Sequence, residues 1–192
     1  MVRRLFSVGA LALTLVACGA VDPRAAAPQS TPPAVSAPAE REQVANPVRL
    51  RIPSLGVDAA FQELRTNEVG VLDAPEGRFD VGWWVDGPEP GEPGAAVIPG
   101  HVNFDGPGVF LDLDTLTPGA EVTVEDAAGE AHTFVITSVE RFPKSEFPTD
   151  RVYSSADATG GKAEIRLVTC GGAFNESQRS YVDNVVAFGV AA

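Results

Sequence analysis

A chain of 192 residues with 44% apolar residues is long enough for one folded domain with appendages and apolar enough to build a core. Its formal net charge of -12 argues against a nucleic-acid partner and against electrostatic adhesion to anionic lipid. Two cysteines far apart, Cys18 and Cys170, and two histidines, His101 and His132, supply no zinc-ligand spacing.

Met1-Val2-Arg3-Arg4 is a short basic start, and Leu5 to Val16 is apolar but too short to span a bilayer. That layout predicts an export signal over residues 1–17. It ends Leu15-Val16-Ala17-Cys18-Gly19, which resembles the lipobox of bacterial lipoproteins. The resemblance implies cleavage before Cys18, lipidation of its thiol and a membrane anchor at that residue. Residues 18–46 are rich in Pro, Ala and Ser without hydrophobic periodicity, so they read as a linker that can reach about 80 Å if extended.

The pattern changes at Pro47. Val48-Arg49-Leu50-Arg51-Ile52 alternates as a half-exposed strand stopped by Pro53. Further extended pieces follow at 57–61, 69–72 and 79–85. Residues 86–94 are dense in Gly, Pro and Glu and predict a surface loop. Ala95-Ala96-Val97-Ile98 is a short apolar strand closed by Pro99-Gly100. Residues 107–116 carry Val109, Phe110, Leu113 and Leu116 at helical spacing, so a short helix is expected there. Glu121 to Val124 and Thr133 to Val139 predict a hairpin across Asp126-Ala127-Ala128-Gly129. Residues 142–158 read as irregular, with a helical turn near Tyr153. Ala163 to Thr169 is a strand delivering Cys170 to a Gly-rich turn, and Tyr181 to Phe188 is the last strand. Many short strands with Gly/Pro turns predict an all-β barrel or sandwich over residues 47–192.

Cys170, with Cys18 assigned to the anchor, reads as a free thiol. Read alone, it is a small buried hydrophobe or a nucleophile. A nucleophilic thiol needs a proton partner near neutral pH, and His101 sits at another strand end, next to Gly100. His132, inside the hairpin, reads as a solvated or cross-strand residue. Arg179 precedes the last strand. If the two final strands are neighbours, its guanidinium can approach the thiol and hold an oxyanion.

Gly100-His101, Leu167-x-Thr169-Cys170 and an arginine shortly after the cysteine resemble the signature of sortases, the cysteine transpeptidases of Gram-positive surfaces. Arg51 to Val57, Val81-Gly82-Trp83, Pro90 to Gly94, Gly106 to Phe110 and Tyr181 to Val186 resemble the actinobacterial class F (class E/F-type) group. The resemblance implies a closed eight-stranded β-barrel with one or two short helices over residues 47–192. It implies catalytic roles for His101, Cys170 and Arg179, and no metal or cofactor. The implied substrates are secreted proteins with a C-terminal Leu-Pro-x-Thr-Gly-like sorting signal, cut after the threonine. The implied acceptor is a peptidoglycan-linked amine, and the implied location is the outer face of the cytoplasmic membrane. Two other classes fit the residues: a cysteine hydrolase of the cell envelope, and a non-enzymatic β-barrel lipoprotein in which Cys170 is inert.

Overall fold

The structure, a computed structural model, describes residues 44–68 and 71–192. The expected signal, Cys18 and most of the linker lie outside the described residues. Eight strands follow in chain order: β1 Pro47–Ile52, β2 Val57–Leu64, β3 Val81–Trp84, β4 Gly94–Pro99, β5 Glu121–Asp126, β6 Ala131–Pro143, β7 Ala163–Asn175 and β8 Ser180–Ala191. They form one sheet in the order β3-β2-β1-β5-β6-β8-β7-β4. β2 pairs with β3, and β4 with β7, in parallel; every other pairing is antiparallel. The end strands meet through a single bridge, Val81 with Gly100, so the expected closed barrel is a nearly closed one.

Alternation explains the strands that face the barrel interior on one side. Leu50 and Ile52 of β1, Val122 and Val124 of β5, and Phe134 and Ile136 of β6 are all buried. They pack with Ile98, Ile165, Leu167, Phe110 and Leu113 into the main core. The β5–β6 turn is fixed by Asp126, whose Oδ1 accepts the backbone N–H groups of Ala128 and Glu130 at 2.9 Å each. His132 joins it from β6, with Nε2 3.1 Å from Asp126 Oδ2, in keeping with a residue of the hairpin itself.

The apolar run of β4 has a different cause. This strand is covered on both faces, with Ile98 in the main core and Val97 in a second cluster, which favours continuous rather than alternating hydrophobicity. That second cluster lies on the outer side, with Val97, Val186 and Phe188 packed beneath Val152 of the short helix α1 Thr149–Val152. Arg166 is buried there against expectation from alternation, at 5% exposure. It pairs with Glu164, donates from Nη1 to the Ile165 carbonyl at 3.0 Å, and lies 4.9 Å from the Phe188 ring centroid. A buried cation persists only with such partners.

Two local expectations are corrected. The helix predicted over residues 107–116 is a 3₁₀ turn confined to Leu113–Thr115. The N–H of Gly108 goes to the Val102 carbonyl, that of Val109 to Arg78 and that of Phe110 to His101, so these donors are taken by other chain segments. The spaced apolar residues still do their burial: Phe110 and Leu113 are fully buried. Cys170, in turn, does not end its strand. β7 continues to Asn175, with a register shift between Gly171 and Phe174. Gly172, at φ 74°, takes the left-handed conformation that this bulge requires.

Candidate active site

The parallel pairing of β4 with β7 builds the site. Ile98 lies opposite Leu167 and Pro99 opposite Val168. Just beyond β4, Gly100 still follows its neighbour: its N–H donates to the Val168 carbonyl at 2.9 Å, and its own carbonyl accepts the Thr169 hydroxyl at 2.8 Å. His101 and Cys170 are the next residues on the two segments. Two side chains 69 positions apart are thus brought level by sheet register. The approach also depends on Gly108, where a Cβ would lie 2.2 Å from the His101 carbonyl oxygen.

His101 is held on two sides. Its ring stacks on Phe104, with centroids 4.8 Å apart and planes 15° from parallel. Its Nε2 lies 2.7 Å from the Pro75 carbonyl. A carbonyl oxygen only accepts, so Nε2 carries a proton and donates it. In the neutral ring the free lone pair is therefore on Nδ1, the nitrogen left to exchange protons.

Cys170 is a free thiol of intermediate exposure. It lines a cleft of about 180 Å³ with Val102, Leu111, Thr169, Gly171 and Tyr181. A thiol at the wall of an open cleft can meet a substrate, as one sealed in a core cannot. Leu111 at the cleft wall and Phe104 on the His101 ring are both exposed.

Arg179 occupies the turn of the β7–β8 hairpin. These two strands are indeed neighbours, with Cys170 opposite Asn184 and Asn175 opposite Ser180. Arg179 is exposed, has φ 48°, and has no hydrogen-bond or ion-pair partner among the described residues. The hairpin that carries it also carries Cys170, but among the described residues the hydrogen bond to the thiol comes from elsewhere and not from this guanidinium.

Two other cations do reach the cleft, and the sequence did not single them out. Arg141 of β6 lines the cleft and is committed to Asp114, Nη2 to Oδ2 at 3.0 Å. Lys144, directly after β6, places Nζ 3.7 Å from Cys170 Sγ and donates to Ser180 Oγ at 2.8 Å. The only signal in the sequence was scarcity, for Lys144 and Lys162 are the two lysines of the chain. His132 lies at the opposite end of β6 from Lys144. Among the described residues no group of three or more His, Cys, Asp or Glu side chains is arranged to hold a metal.

Comparison with known proteins bears on the family and the fold. A family model described as a sortase domain matches residues 50–192. No curated protein matches. Among solved structures, sortase C-1 from Actinomyces oris superposes with a TM-score of 0.58 at 19% identity, covering 75% of this chain and 72% of that one. A lid mutant of sortase A from Corynebacterium diphtheriae gives 0.58 at 13% identity, covering 80% and 74%. Sortase C from Clostridium perfringens SM101 gives 0.53 at 15% identity, covering 78% and 72%. At these identities the structural likeness is one of fold.

Proposed function

Because the chain belongs to the sortase family, that of the cysteine transpeptidases, we propose that Cys170 is its nucleophile, His101 its proton carrier and Arg179 a substrate- and oxyanion-binding cation. The observation that carries the reading is the β4–β7 register, which brings Gly100-His101 beside Thr169-Cys170 at the wall of a cleft.

The reaction is a two-step acyl transfer. The Cys170 proton passes to His101, and the sulfur attacks a peptide carbonyl. Collapse of the tetrahedral species expels the amine, which takes the proton from His101 and leaves a thioester. An incoming amine, deprotonated by His101, then attacks the thioester carbonyl and releases the thiol. The Pro75 carbonyl supports this role by holding Nε2–H and leaving Nδ1 for the transfers. Arg179 needs to fold inward from the hairpin turn when substrate fills the cleft.

The substrate class is a Leu-Pro-x-Thr-Gly-like sorting signal on secreted proteins, and the acceptor a peptidoglycan-linked amine. The motifs of residues 51–57, 90–94 and 181–186 favour class F. Residues 1–17 act as a lipoprotein-type signal, Cys18 as the lipid anchor at the outer face of the membrane, residues 18–46 as a spacer and 47–192 as the catalytic domain. Incubation with a sorting peptide, with and without an added amine, tests the reading. Cys170→Ala should abolish cleavage, and His101→Ala and Arg179→Ala should lower turnover strongly. Full activity in Cys170→Ala would overturn the assignment, and hydrolysis unaffected by amine would make the enzyme a hydrolase.

A further inference from the structure

We propose that Lys144 is a further catalytic residue, whose ammonium holds negative charge on the Cys170 sulfur and on the carbonyl oxygen that the sulfur attacks. The inference rests on Cys170 being the nucleophile. Its physical basis is a cation in contact with the reacting atom, Nζ being 3.7 Å from Sγ. The ammonium is positioned by its place in the chain and by a hydrogen bond. Lys144 opens a 3₁₀ turn, Lys144–Glu146, directly where β6 ends, and Pro143 pairs with Asp183 of β8. The Ser180 hydroxyl, at the start of β8, accepts one of the three N–H bonds at 2.8 Å.

Neutralisation is what separates Lys144 from its neighbours. Arg141 is paired with Asp114, and Arg151 with Glu140. No carboxylate lies within ion-pair distance of Lys144 among the described residues. A chain of net charge -12 thus leaves this ammonium uncompensated at its one candidate nucleophile. Its hydrogen bonds go to a neutral hydroxyl and a sulfur, so one N–H remains for substrate.

The charge follows the electrons through the reaction. Once the thiol proton has moved to His101, the thiolate lies beside the ammonium. As the C–S bond forms, the carbonyl π pair moves to oxygen, and the negative charge moves from sulfur to that oxygen next to it. Collapse restores the carbonyl and breaks the C–N bond, and the amine leaves with the proton from His101. Lys144 keeps its three protons throughout, and supplies preorganised positive charge where charge develops.

Alkylation of the native domain isolates this effect without substrate. The rates of Cys170 with iodoacetate, an anion, and iodoacetamide, its neutral counterpart, are compared at one pH, so that the thiolate fraction cancels in the ratio. Lys144→Met removes the charge and keeps an unbranched side chain only one atom shorter. The iodoacetate-to-iodoacetamide ratio should fall about fivefold, the effect of one unit charge at contact distance in a water-like dielectric. Lys144→Arg should restore most of it, and the difference should shrink with added salt. In peptide transfer, Lys144→Met should lower kcat roughly 10- to 100-fold, less than a buried oxyanion donor because the ammonium is exposed. An unchanged ratio in a folded Lys144→Met overturns the proposal, as does faster turnover, which would make the ammonium a plug on the thiol. Either result, with turnover lost in Cys170→Ala, refutes the role of Lys144 alone. Full turnover in Cys170→Ala removes the nucleophile and this proposal with it.

Discussion

Replacing Thr169 by valine should separate the alignment of the site from its chemistry. Thr169 is buried, at 4% exposure, and its hydroxyl donates to the Gly100 carbonyl at 2.8 Å, across 69 residues of sequence. Valine has nearly the same shape, so packing is kept while the hydrogen bond is lost and a buried carbonyl loses its donor. That loss costs roughly 1–3 kcal/mol. For a domain of this size it lowers Tm by roughly 3–9 °C. The bond joins the residues immediately before His101 and Cys170, so the two side chains should also lose register, and a misplacement of about 1 Å can cost on the order of 100-fold in rate. Urea unfolding should show a lower midpoint with an unchanged slope. Turnover at 25 °C, where the variant remains folded, should fall by far more than the unfolded fraction explains. Thr169→Ser keeps the hydroxyl and should retain turnover. Wild-type turnover in a Thr169→Val variant destabilised by the expected amount would refute the claim that this bond aligns the pair.

Other changes probe the supports of the site and the pH response of the fold. Gly108→Ala forces a Cβ against the His101 carbonyl at 2.2 Å, and should cost about 1–3 kcal/mol in thermal melts and lower turnover together. The Asp126 carboxyl is held below its usual value of 3.8, first by the His132 hydrogen bond and then by the N–H groups of Glu130 and Ala128, against an opposing effect of burial. The stability it supplies is present above that value and lost as pH falls through the lower folded one. Asp126→Asn should therefore melt earlier than wild type at pH 6, with the gap closing below about pH 4. Glu89 behaves oppositely: burial, and then its hydrogen bond with Glu92, push its carboxyl up to about 7. Ionising it opposes the fold increasingly from its usual 4.5 up to about 7. Glu89→Gln should raise Tm at pH 8 and leave it nearly unchanged at pH 5; equal shifts at both would contradict the assignment.

Much of the barrel was legible because half-buried strands declare themselves by alternation. Val48 to Ile52 and the hairpin around Asp126 could be read directly, and β4 by its unbroken apolar run. The segment 107–116 misled because helical spacing records which residues are buried and not where their N–H groups go. Gly108 and Phe110 bury and bond through the backbone around His101, so the apolar side chains reach the core without a helix. Arg166 was illegible for a related reason: its burial depends on the Phe188 ring of β8 and the Arg151 carbonyl of α1, which meet it only once β8 and α1 pack against β7.

The site divides in the same way. His101 and Cys170 could be named, since each stands beside a glycine just after an apolar, strand-like run. That β7 runs on past Cys170 depends on a bulge at Gly171 and Gly172, which alternation does not encode. Lys144 lies 26 residues from Cys170, and its position follows from the β6–β8 register, which itself shifts between Ile136 and Ser138. No local pattern carries that information.

Intact-mass spectrometry of the domain, quenched in acid during turnover of a Leu-Pro-x-Thr-Gly peptide, tests the account most directly. It should show the protein heavier by the acyl fragment ending at threonine, with the added mass mapping to Cys170, discharged by an amine and absent from Cys170→Ala. Peptide cleaved at an undiminished rate by Cys170→Ala, or an adduct mapped to any other residue, would contradict it.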